Sequence, residues 1–126
     1  MKEIVNTDQA PAPIGPYNQA TKANGLLFAS GQIAIDPGTG KLVDGSIEDE
    51  TRQVMKNLGA VLEAGGCNFS DIVKTTIFIR DMGQFSSINS VYGEFFETAP
   101  PARETVEVSR LPKDVRVEIS CIAIIP

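Results

Sequence analysis

A rigid approach to one arginine is the first chemical feature of the chain. Pro100, Pro101 and Ala102 lead into Arg103 and the strand-like run that follows it. Because proline rings fix the backbone φ angle, the two prolines restrict where Arg103 can lie. An arginine held at the start of a strand is well suited to bind a carboxylate or phosphate through two parallel hydrogen bonds. The spacing alone is explained more simply by a surface arginine at a sheet edge.

A carboxylate stands inside an apolar strand near the end of the chain. Glu118 lies between Val117 and Ile119, where a charged group must be paired, solvated in a cleft or functional. Burial would raise its pKa toward neutrality, which suits a general acid or base. The sequence equally allows a structural role, either in a salt bridge with Arg116 or Arg103 or on an exposed strand face.

Two further positions suit a small-molecule site. Ser30, Gly31 and Gln32 follow a strand-like run, and a glycine there marks either a β-bulge or a close approach of backbone to ligand. The plain bulge is the simpler interpretation. Tyr17 follows a proline-rich segment and could cap a pocket, although such a tyrosine more often packs half-buried. Together with the arginine and the carboxylate, these residues predict a site for a small carboxylate-bearing substrate.

The composition narrows the possible chemistry. The 126 residues carry a net charge of −5 and include two cysteines and no histidine; they fit one domain, residues 1–126. The lack of histidine excludes Ser-His-Asp and Cys-His catalysis and leaves a poor ligand set for zinc. The acidic charge makes nucleic acid an unexpected partner. Because the sequence has neither an apolar membrane span nor a leader-like N-terminus, we expect a cytoplasmic protein.

Hydrophobic periodicity and turn residues predict the element order β-β-β-α-β-α-β-β. Asn24-Gly25 is a strong hairpin signal. Ser46 and Gly65-Gly66 bound the first helix, and Asp81 and Pro100-Pro101 bound the second. Helical crossovers are nearly always right-handed, so both helices are expected on one face of a mixed sheet. The strands are predicted at residues 2–5, 19–23, 26–30, 71–80, 103–109 and 115–125.

The last strand has an apolar surface that the two helices are not expected to cover. Period-two alternation puts Arg103, Thr105 and Glu107 on one face of the preceding strand. In the last strand both faces are partly apolar, because Ile122 and Ile124 interrupt its polar side. A partner subunit is the natural cover, which predicts a homo-oligomer. The alternative is that a few apolar residues simply stay exposed.

Several ordered segments carry a family resemblance along nearly the whole chain. The most specific run extends from Pro101-Ala102-Arg103 through Val106-Glu107-Val108 and Leu111-Pro112-Lys113-Asp114 to Val117-Glu118-Ile119. The other matching segments are residues 12–17, 28–32, 53–62 and 73–76, together with Asn89 and Tyr92. In these segments the chain resembles the RidA (YjgF) family of reactive-intermediate deaminases. The resemblance implies an α+β, chorismate-mutase-like domain with a mixed six-stranded sheet and two helices on one face. It also implies a homotrimer with sites between subunits.

The activity that the resemblance implies is hydrolysis of reactive 2-imino acids. The substrates would be 2-iminobutanoate and 2-iminopropanoate, and the products 2-oxo acids and ammonia, with no cofactor and no metal. Such a hydrolase protects other enzymes from imine damage. By position, Arg103 would bind the substrate carboxylate and Glu118 would help activate water. The backbone at Ser30 and Gly31 would hold the substrate, and Tyr17 would close the pocket from a neighbouring subunit.

Thr105 departs from the family pattern, because many relatives carry cysteine two residues after the arginine. A thiol nucleophile is therefore missing at this position, although the Thr105 backbone N–H still suits a substrate contact. Asn89 matches a family position near the cleft. Three alternatives stay open: a metabolite-binding regulator without turnover, an endoribonuclease, and a paralogue with other substrates. The acidic charge and the lack of histidine disfavour RNA cleavage.

Overall fold

The computed structural model describes residues 1–126, and its elements follow the predicted order. The strands are β1 (Glu3–Val5), β2 (Ala20–Ala23), β3 (Leu26–Gln32), β4 (Ile72–Ile79), β5 (Ala102–Glu107) and β6 (Val117–Ile124), and the α-helices are α1 (Ile47–Ala64) and α2 (Phe85–Gly93). Short 3-10 turns precede β4, α2 and β6, at Phe69–Asp71, Met82–Gln84 and Pro112–Asp114.

Local turn chemistry sets several of these boundaries. Asn24 and Gly25 take φ angles of +50° and +77°, as the tight turn between β2 and β3 requires. The Ser46 hydroxyl accepts a hydrogen bond from the Asp49 amide at 3.0 Å and so caps α1. Gly66, at φ +82°, reverses the chain after α1 at little steric cost. The predicted hairpin and first helix are therefore confirmed.

The second helix is shorter than the sequence pattern predicted. α2 ends at Gly93, before the expected stop at Pro100, and Asp81 caps the 3-10 turn ahead of the helix rather than the helix itself. Phe95 and Phe96 still pack against the core, but from an irregular segment. The predicted helix end is wrong because periodicity reports which side chains are buried, and an irregular backbone can bury the same side chains.

The strands form one mixed sheet in the order β1-β2-β3-β6-β4-β5. β6 returns between β3 and β4 and is antiparallel to both, whereas β4 and β5 are parallel neighbours. Helix α1 therefore crosses from β3 to β4, and α2 crosses from β4 to β5. Buried residues of both helices share one core cluster with the same face of the sheet. The predicted α+β fold, with two helices on one face of a six-stranded mixed sheet, is confirmed.

The core lies between the helices and this face of the sheet. Leu58 and Leu62 of α1 are fully buried, as are Ile77 of β4 and Ile119 of β6. Each such side chain stabilises the fold by about 1.5–3 kcal/mol relative to an exposed position. Neither helix combines the length and the apolar character needed to cross a membrane.

A buried ion pair ties the first helix to the last strand. The Glu50 carboxylate, 4% exposed, accepts hydrogen bonds from the Arg116 amide at 2.7 Å and from Arg116 Nε at 2.6 Å. Arg116 also donates to the carbonyl of Gly45. The alternative in which Arg116 forms a salt bridge with Glu118 is therefore excluded, because this guanidinium is bonded to Glu50.

The face of the sheet opposite the helices carries exposed apolar side chains. Phe28 pairs with Ile122 and Leu26 with Ile124 across β3 and β6, and Val106 extends this surface on β5. Phe28 is 41% exposed and Ile124 is 51% exposed. No element of the same protomer covers this surface. The oligomer that would cover it stays a prediction.

Candidate active site

A cavity of about 470 Å³ opens beside Glu118. Three segments line it: the N-terminal loop that carries Tyr17, the end of β3 at Ser30 and Gly31, and the turn that carries Lys113. Four residues predicted from the sequence thus meet in one protomer. We call Tyr17, Ser30, Gly31 and Glu118 the acid half-site.

A β-bulge shapes the acid half-site at the end of β3. The register with β6 shifts between Ala29 and Gln32, so that Ser30 and Gly31 stand opposite a single residue of β6. A Cβ atom on Gly31 would lie 2.8 Å from Cδ of Glu118. The β-bulge interpretation of the glycine is therefore confirmed, and the bulge is also where the backbone closely approaches the Glu118 carboxylate. The approach of this backbone to a ligand stays a prediction.

A buried glutamine holds the loop that forms one wall of the cavity. The Gln19 side-chain amide donates to the carbonyls of Thr7, Ala10 and Pro11 at 3.0, 3.2 and 2.7 Å. Its oxygen accepts a hydrogen bond from the Thr7 amide at 2.6 Å. These bonds replace the regular backbone pairing that a proline-rich loop cannot make. The loop is thereby fixed in front of the cavity, with Tyr17 still 49% exposed.

A second buried amide holds another wall. Asn57 of α1 donates to the carbonyls of Ile33 and Ile35 at 2.9 and 2.8 Å. The Gln53 side chain donates to the Asn57 oxygen at 2.9 Å. Ile33 and Ile35 line the Glu118 cavity, so the helix fixes this wall through side chain-to-backbone bonds.

The Glu118 carboxylate has no ionic partner. The four salt bridges of the chain involve other carboxylates, and no side-chain hydrogen bond reaches it. Partial burial raises the pKa of this carboxyl above its usual range. A carboxyl with free oxygens and a raised pKa is suited to exchange protons with a bound water or substrate.

The turn beside Glu118 has a strained backbone. Lys113 and Asp114 take φ angles of +56° and +55°, and such conformations cost about 1–3 kcal/mol each in non-glycine residues. The Asp114 carboxylate accepts a hydrogen bond from Arg110 Nε at 2.8 Å, and its carbonyl accepts one from Arg80 Nη1 at 2.6 Å. These contacts hold Lys113 in the wall of the cavity.

Arg103 lies in different surroundings. Its Nη1 donates to the Asn89 side-chain oxygen at 2.7 Å, and its guanidinium carbon is 5.1 Å from the ring centre of Tyr92 and 5.5 Å from that of Phe85. A second cavity, of about 460 Å³, opens beside it. All three neighbours are neutral, so the positive charge of Arg103 has no counter-ion in the protomer.

Thr105 contributes an unsatisfied hydroxyl on the same strand. Its Oγ1 atom is buried and has no hydrogen-bond partner. It stands two residues beyond Arg103 and therefore on the same face of β5. A buried hydroxyl without a partner costs about 1–3 kcal/mol. We call Asn89, Arg103 and Thr105 the arginine half-site.

The two half-sites face opposite sides of the sheet. Arg103 pairs with Thr75 of β4, which pairs with Cys121 of β6, and both partners belong to the helix-covered face. Glu118 pairs with Phe78 and so lies on the open face. The predicted site residues therefore do not meet within one protomer. The alternative salt bridge between Arg103 and Glu118 is excluded for the same reason.

Several residues of these half-sites were missed by sequence reasoning. Tyr92 and Phe85 form part of the apolar stripe of the second helix, which predicts core packing. Gln19 gave no signal, because a buried glutamine looks like any polar strand residue in a sequence. Lys113 was part of a recognised segment but was not assigned to the site. No three histidine, cysteine, aspartate or glutamate side chains lie close enough to share a metal ion.

Comparison with known proteins identifies the family. A family model described as Endoribonuclease L-PSP matches residues 7–125. The chain belongs to the YjgF/RidA family. A RutC family protein of Synechocystis is 54% identical over 126 residues, which cover 98% of this chain and 97% of the relative. The predicted family resemblance is thus confirmed.

Two other YjgF/RidA proteins are named more specifically. The mouse protein named 2-iminobutanoate/2-iminopropanoate deaminase is 42% identical over 124 residues, which cover 98% of this chain and 92% of the mouse protein. The crystal structure of E. coli TdcF with bound serine matches with a TM-score of 0.93 at 41% identity, over 97% of this chain and 98% of TdcF. The shared fold extends over nearly the whole chain.

Thr105→Val should stabilise the fold. Valine keeps the branched shape and removes the unpaired hydroxyl, so we expect the free energy of unfolding to rise by about 1 kcal/mol. The measurement is urea unfolding at fixed protein concentration. Thr105→Ser is the control, since it keeps the hydroxyl and should not stabilise. A valine variant less stable than the parent would mean that the hydroxyl has a partner in the native assembly.

Glu118→Gln should be more stable than the parent at neutral pH. A raised pKa means that the folded chain disfavours the charged carboxylate, so this charge costs stability above the unfolded-state pKa. The cost fades as the pH falls below the unfolded-state pKa of about 4.3, because the carboxyl becomes protonated in both states. The unfolding midpoint of the two proteins should therefore differ at pH 7 and converge in acid. Glu94→Gln is the control, because it alters only an exposed ion pair, and its unfolding midpoint should differ little from that of the parent. A Glu118→Gln variant that is less stable than the parent at pH 7 would contradict the raised pKa of Glu118.

Proposed function

We propose that the protein hydrolyses small 2-imino acids, with 2-iminobutanoate and 2-iminopropanoate as the leading substrates, to 2-oxo acids and ammonia. The supporting observation is the complementarity of the half-sites. One presents the guanidinium of Arg103 without a counter-ion, and the other presents the Glu118 carboxyl with a raised pKa. A small acid with an imine carbon next to its carboxylate needs both groups.

The proposal includes a symmetric trimer. Because the half-sites face opposite sides of one sheet, the arginine half-site of one copy must meet the acid half-site of another to form a complete site. The exposed apolar side chains of the open face, Phe28 and Ile124 among them, supply a surface for such contacts. In this arrangement Tyr17 enters the site from the same copy as Glu118.

The reaction proceeds by addition and elimination. Arg103 binds the substrate carboxylate through its free N–H groups, which places the imine carbon opposite Glu118. Water attacks that carbon while Glu118 accepts its proton and passes it to the imine nitrogen. The resulting carbinolamine transfers its hydroxyl proton, through the same carboxylate, to the amine. The C–N bond then breaks and ammonia leaves, so that the 2-oxo acid remains and Glu118 is regenerated.

This mechanism does not use a thiol. Burial raises the pKa of Cys121 to about 12 and also raises that of Cys67, so neither forms a thiolate readily. Imines hydrolyse in water, and each tenfold acceleration requires only about 1.4 kcal/mol. Positioning of substrate and water can supply such amounts. The two free thiols also support a reducing compartment, the cytoplasm.

The related proteins support this ligand class. The mouse relative is named a 2-iminobutanoate/2-iminopropanoate deaminase. TdcF is a protein whose structure was solved with bound serine, and serine carries a carboxylate next to a carbon bonded to nitrogen. A small 2-imino acid has the same arrangement around its reacting carbon.

The family description favours one second candidate, an endoribonuclease. RNA binding depends on Lys and Arg contacts with phosphates. This chain has a net charge of −5, and two of its arginines are engaged with Glu50 and Asp114. RNA cleavage is therefore the weaker proposal, and the activity assays described below also test for it.

Arg103→Ala should abolish most imine turnover. An amino-acid oxidase generates 2-iminobutanoate in situ, semicarbazide competes for it, and the assay follows the imine diverted to 2-oxobutanoate. Loss of a two-point charged contact should lower kcat/KM about 100- to 10,000-fold, since each of the two bonds to a charged group contributes about 1.5–3 kcal/mol. Arg103→Lys should recover little of the loss, because an ammonium lacks the planar fork.

Arg52→Ala is the matched control for this assay. Arg52 forms an exposed ion pair with Glu94, so its removal should leave turnover unchanged. If the parent protein binds small 2-oxo acids but turns over no imine, it is a metabolite-binding regulator. Cleavage of single-stranded RNA that survives Arg103→Ala would support the endoribonuclease instead.

Mixing two inactive variants tests whether each site is shared between copies. Arg103→Ala keeps the acid half-site and Glu118→Gln keeps the arginine half-site, so neither protein alone should turn over substrate. After co-expression, a random mixture should recover about a quarter of parental activity, because each site draws one half from each of two neighbours. No recovery in verified mixed oligomers would place both halves in one copy. The double variant mixed with Glu118→Gln protein should stay inactive.

A further inference from the structure

The guanidinium of Arg103 is surrounded by a neutral cage. Tyr92 and Phe85 place their rings 5.1 and 5.5 Å from it, within the range of about 6 Å at which a cation is attracted to an aromatic face. Asn89 accepts one N–H at 2.7 Å. A carboxylate in any of these positions would neutralise the positive charge of Arg103. The neutral cage leaves that charge available to a ligand and restricts the movement of the Arg103 side chain.

The cage is itself anchored to the sheet. Tyr92 Oη and Thr75 Oγ1 are hydrogen-bonded at 2.7 Å in the protein interior, and Tyr92 is 5% exposed. Thr75 is the direct cross-strand neighbour of Arg103. The Tyr92 side chain of helix α2 is therefore bonded to the strand residue that lies beside the arginine. Phe96 supports the other part of this ring, with ring centres 4.8 Å apart.

We propose that Tyr92, anchored by Thr75, is the positioning residue that sets the orientation of the Arg103 guanidinium, with Phe85 as its second aromatic support. This inference rests on the proposed function of Arg103 as the carboxylate-binding group. It goes further by assigning the orientation of the Arg103 side chain to a residue of helix α2. The rings occupy space beside the guanidinium, so a ligand carboxylate reaches the N–H groups left free by Asn89.

Ordinary core packing does not require this arrangement. A leucine or phenylalanine at position 92 would fill the space between helix and sheet without a buried hydroxyl, which lowers stability unless it is hydrogen-bonded. The Tyr92–Thr75 bond instead fixes the ring in one direction. A packing role predicts that substitutions affect stability alone. A positioning role predicts that they also change the behaviour of Arg103.

The experiment compares Tyr92→Leu, Tyr92→Phe and Phe85→Leu with the parent oligomer. The first measurement needs no ligand: the NMR signal of Arg103 Nε–Hε, assigned by its loss in Arg103→Lys, reports ring currents and restricted rotation. We expect Tyr92→Leu to shift this signal toward that of a free arginine. Tyr92→Phe keeps the ring but loses the hydrogen bond to Thr75, so it should keep a ring-current shift and lose part of the restricted rotation. An unchanged signal in folded Tyr92→Leu would overturn the proposal.

The second measurement is the affinity for 2-oxobutanoate, by calorimetry, together with KM and kcat for imine turnover. Loss of a cation–π support should weaken binding about 3- to 30-fold in Tyr92→Leu. KM should rise with kcat largely retained, because Arg103 holds substrate and transition state alike. Adding Tyr92→Leu to Arg103→Ala should cause no further loss of affinity. An equal additional loss would show that Tyr92 acts independently of Arg103.

Phe69→Leu is the control for general damage to the aromatic cluster. Phe69 packs against Phe95 in a tilted contact and against Phe96 edge-on, and the rings beside Arg103 are those of Phe85 and Tyr92. Phe69→Leu should therefore lower stability without changing affinity or the Nε–Hε signal. The same affinity loss in Phe69→Leu would overturn the assignment. If the parent neither binds 2-oxobutanoate nor turns over imine, the proposed function fails. The NMR comparison then decides the positioning role alone.

Discussion

Strand alternation is the constraint on which the rest of the structure depends. Successive side chains of a strand point to opposite faces, and the register through β4 puts Arg103 on the helix face and Glu118 on the open face. No adjustment of side-chain rotamers can bring the two groups through a hydrogen-bonded sheet. One protomer therefore holds two incomplete sites, each with the groups that the other lacks. The proposed oligomer accounts for both the apolar open face and the separation of the two half-sites.

Each half-site departs from what stability alone would favour. Glu118 is partly desolvated without a counter-ion, and Thr105 carries an unpaired hydroxyl. Lys113 and Asp114, in the turn beside the acid half-site, have strained backbone conformations. Elsewhere, buried polar groups are fully used: Glu50 binds Arg116 twice. Unpaired polar groups and strained backbone in an otherwise well-packed protein concentrate at functional sites. The positions of these features, rather than any single sequence motif, distinguish the candidate site from the rest of the fold.

The sequence predicted the fold well where local chemistry decides it. Asn24-Gly25 and Ser46 act within a few residues, and the apolar periodicity of α1 is long enough to be unambiguous. The end of α2 was wrong because Phe95 and Phe96 continue the apolar stripe on a non-helical backbone. Residue types allowed Arg103 to be selected as a candidate. The surroundings of that arginine depend on packing between distant segments, which spacing does not encode.

The separation of the half-sites was also beyond sequence reasoning, although each strand's alternation was correctly predicted. Knowing that Arg103 and Thr105 share a face, and that Glu118 alternates with Val117, does not relate one strand to the other. That relation requires the intervening strand, where Thr75 faces the helices and Phe78 faces away. A resemblance to relatives supplies the shared site as an implication. The cross-strand register explains why Arg103 and Glu118 do not meet within one chain.

The chemistry left to such a shared site is limited by the interior of each copy. The thiols of Cys67 and Cys121 are buried with raised pKa values, and there is no histidine, so the proposed reaction uses the Glu118 carboxylate for both proton transfers. A carboxyl with an ordinary pKa would accept a proton from water poorly and would hardly return one at neutral pH. The burial that raises the pKa of Glu118 improves both transfers. Because the bulge glycine, Gly31, makes room for this carboxylate in its cavity, the backbone of β3 contributes directly to its acid–base character.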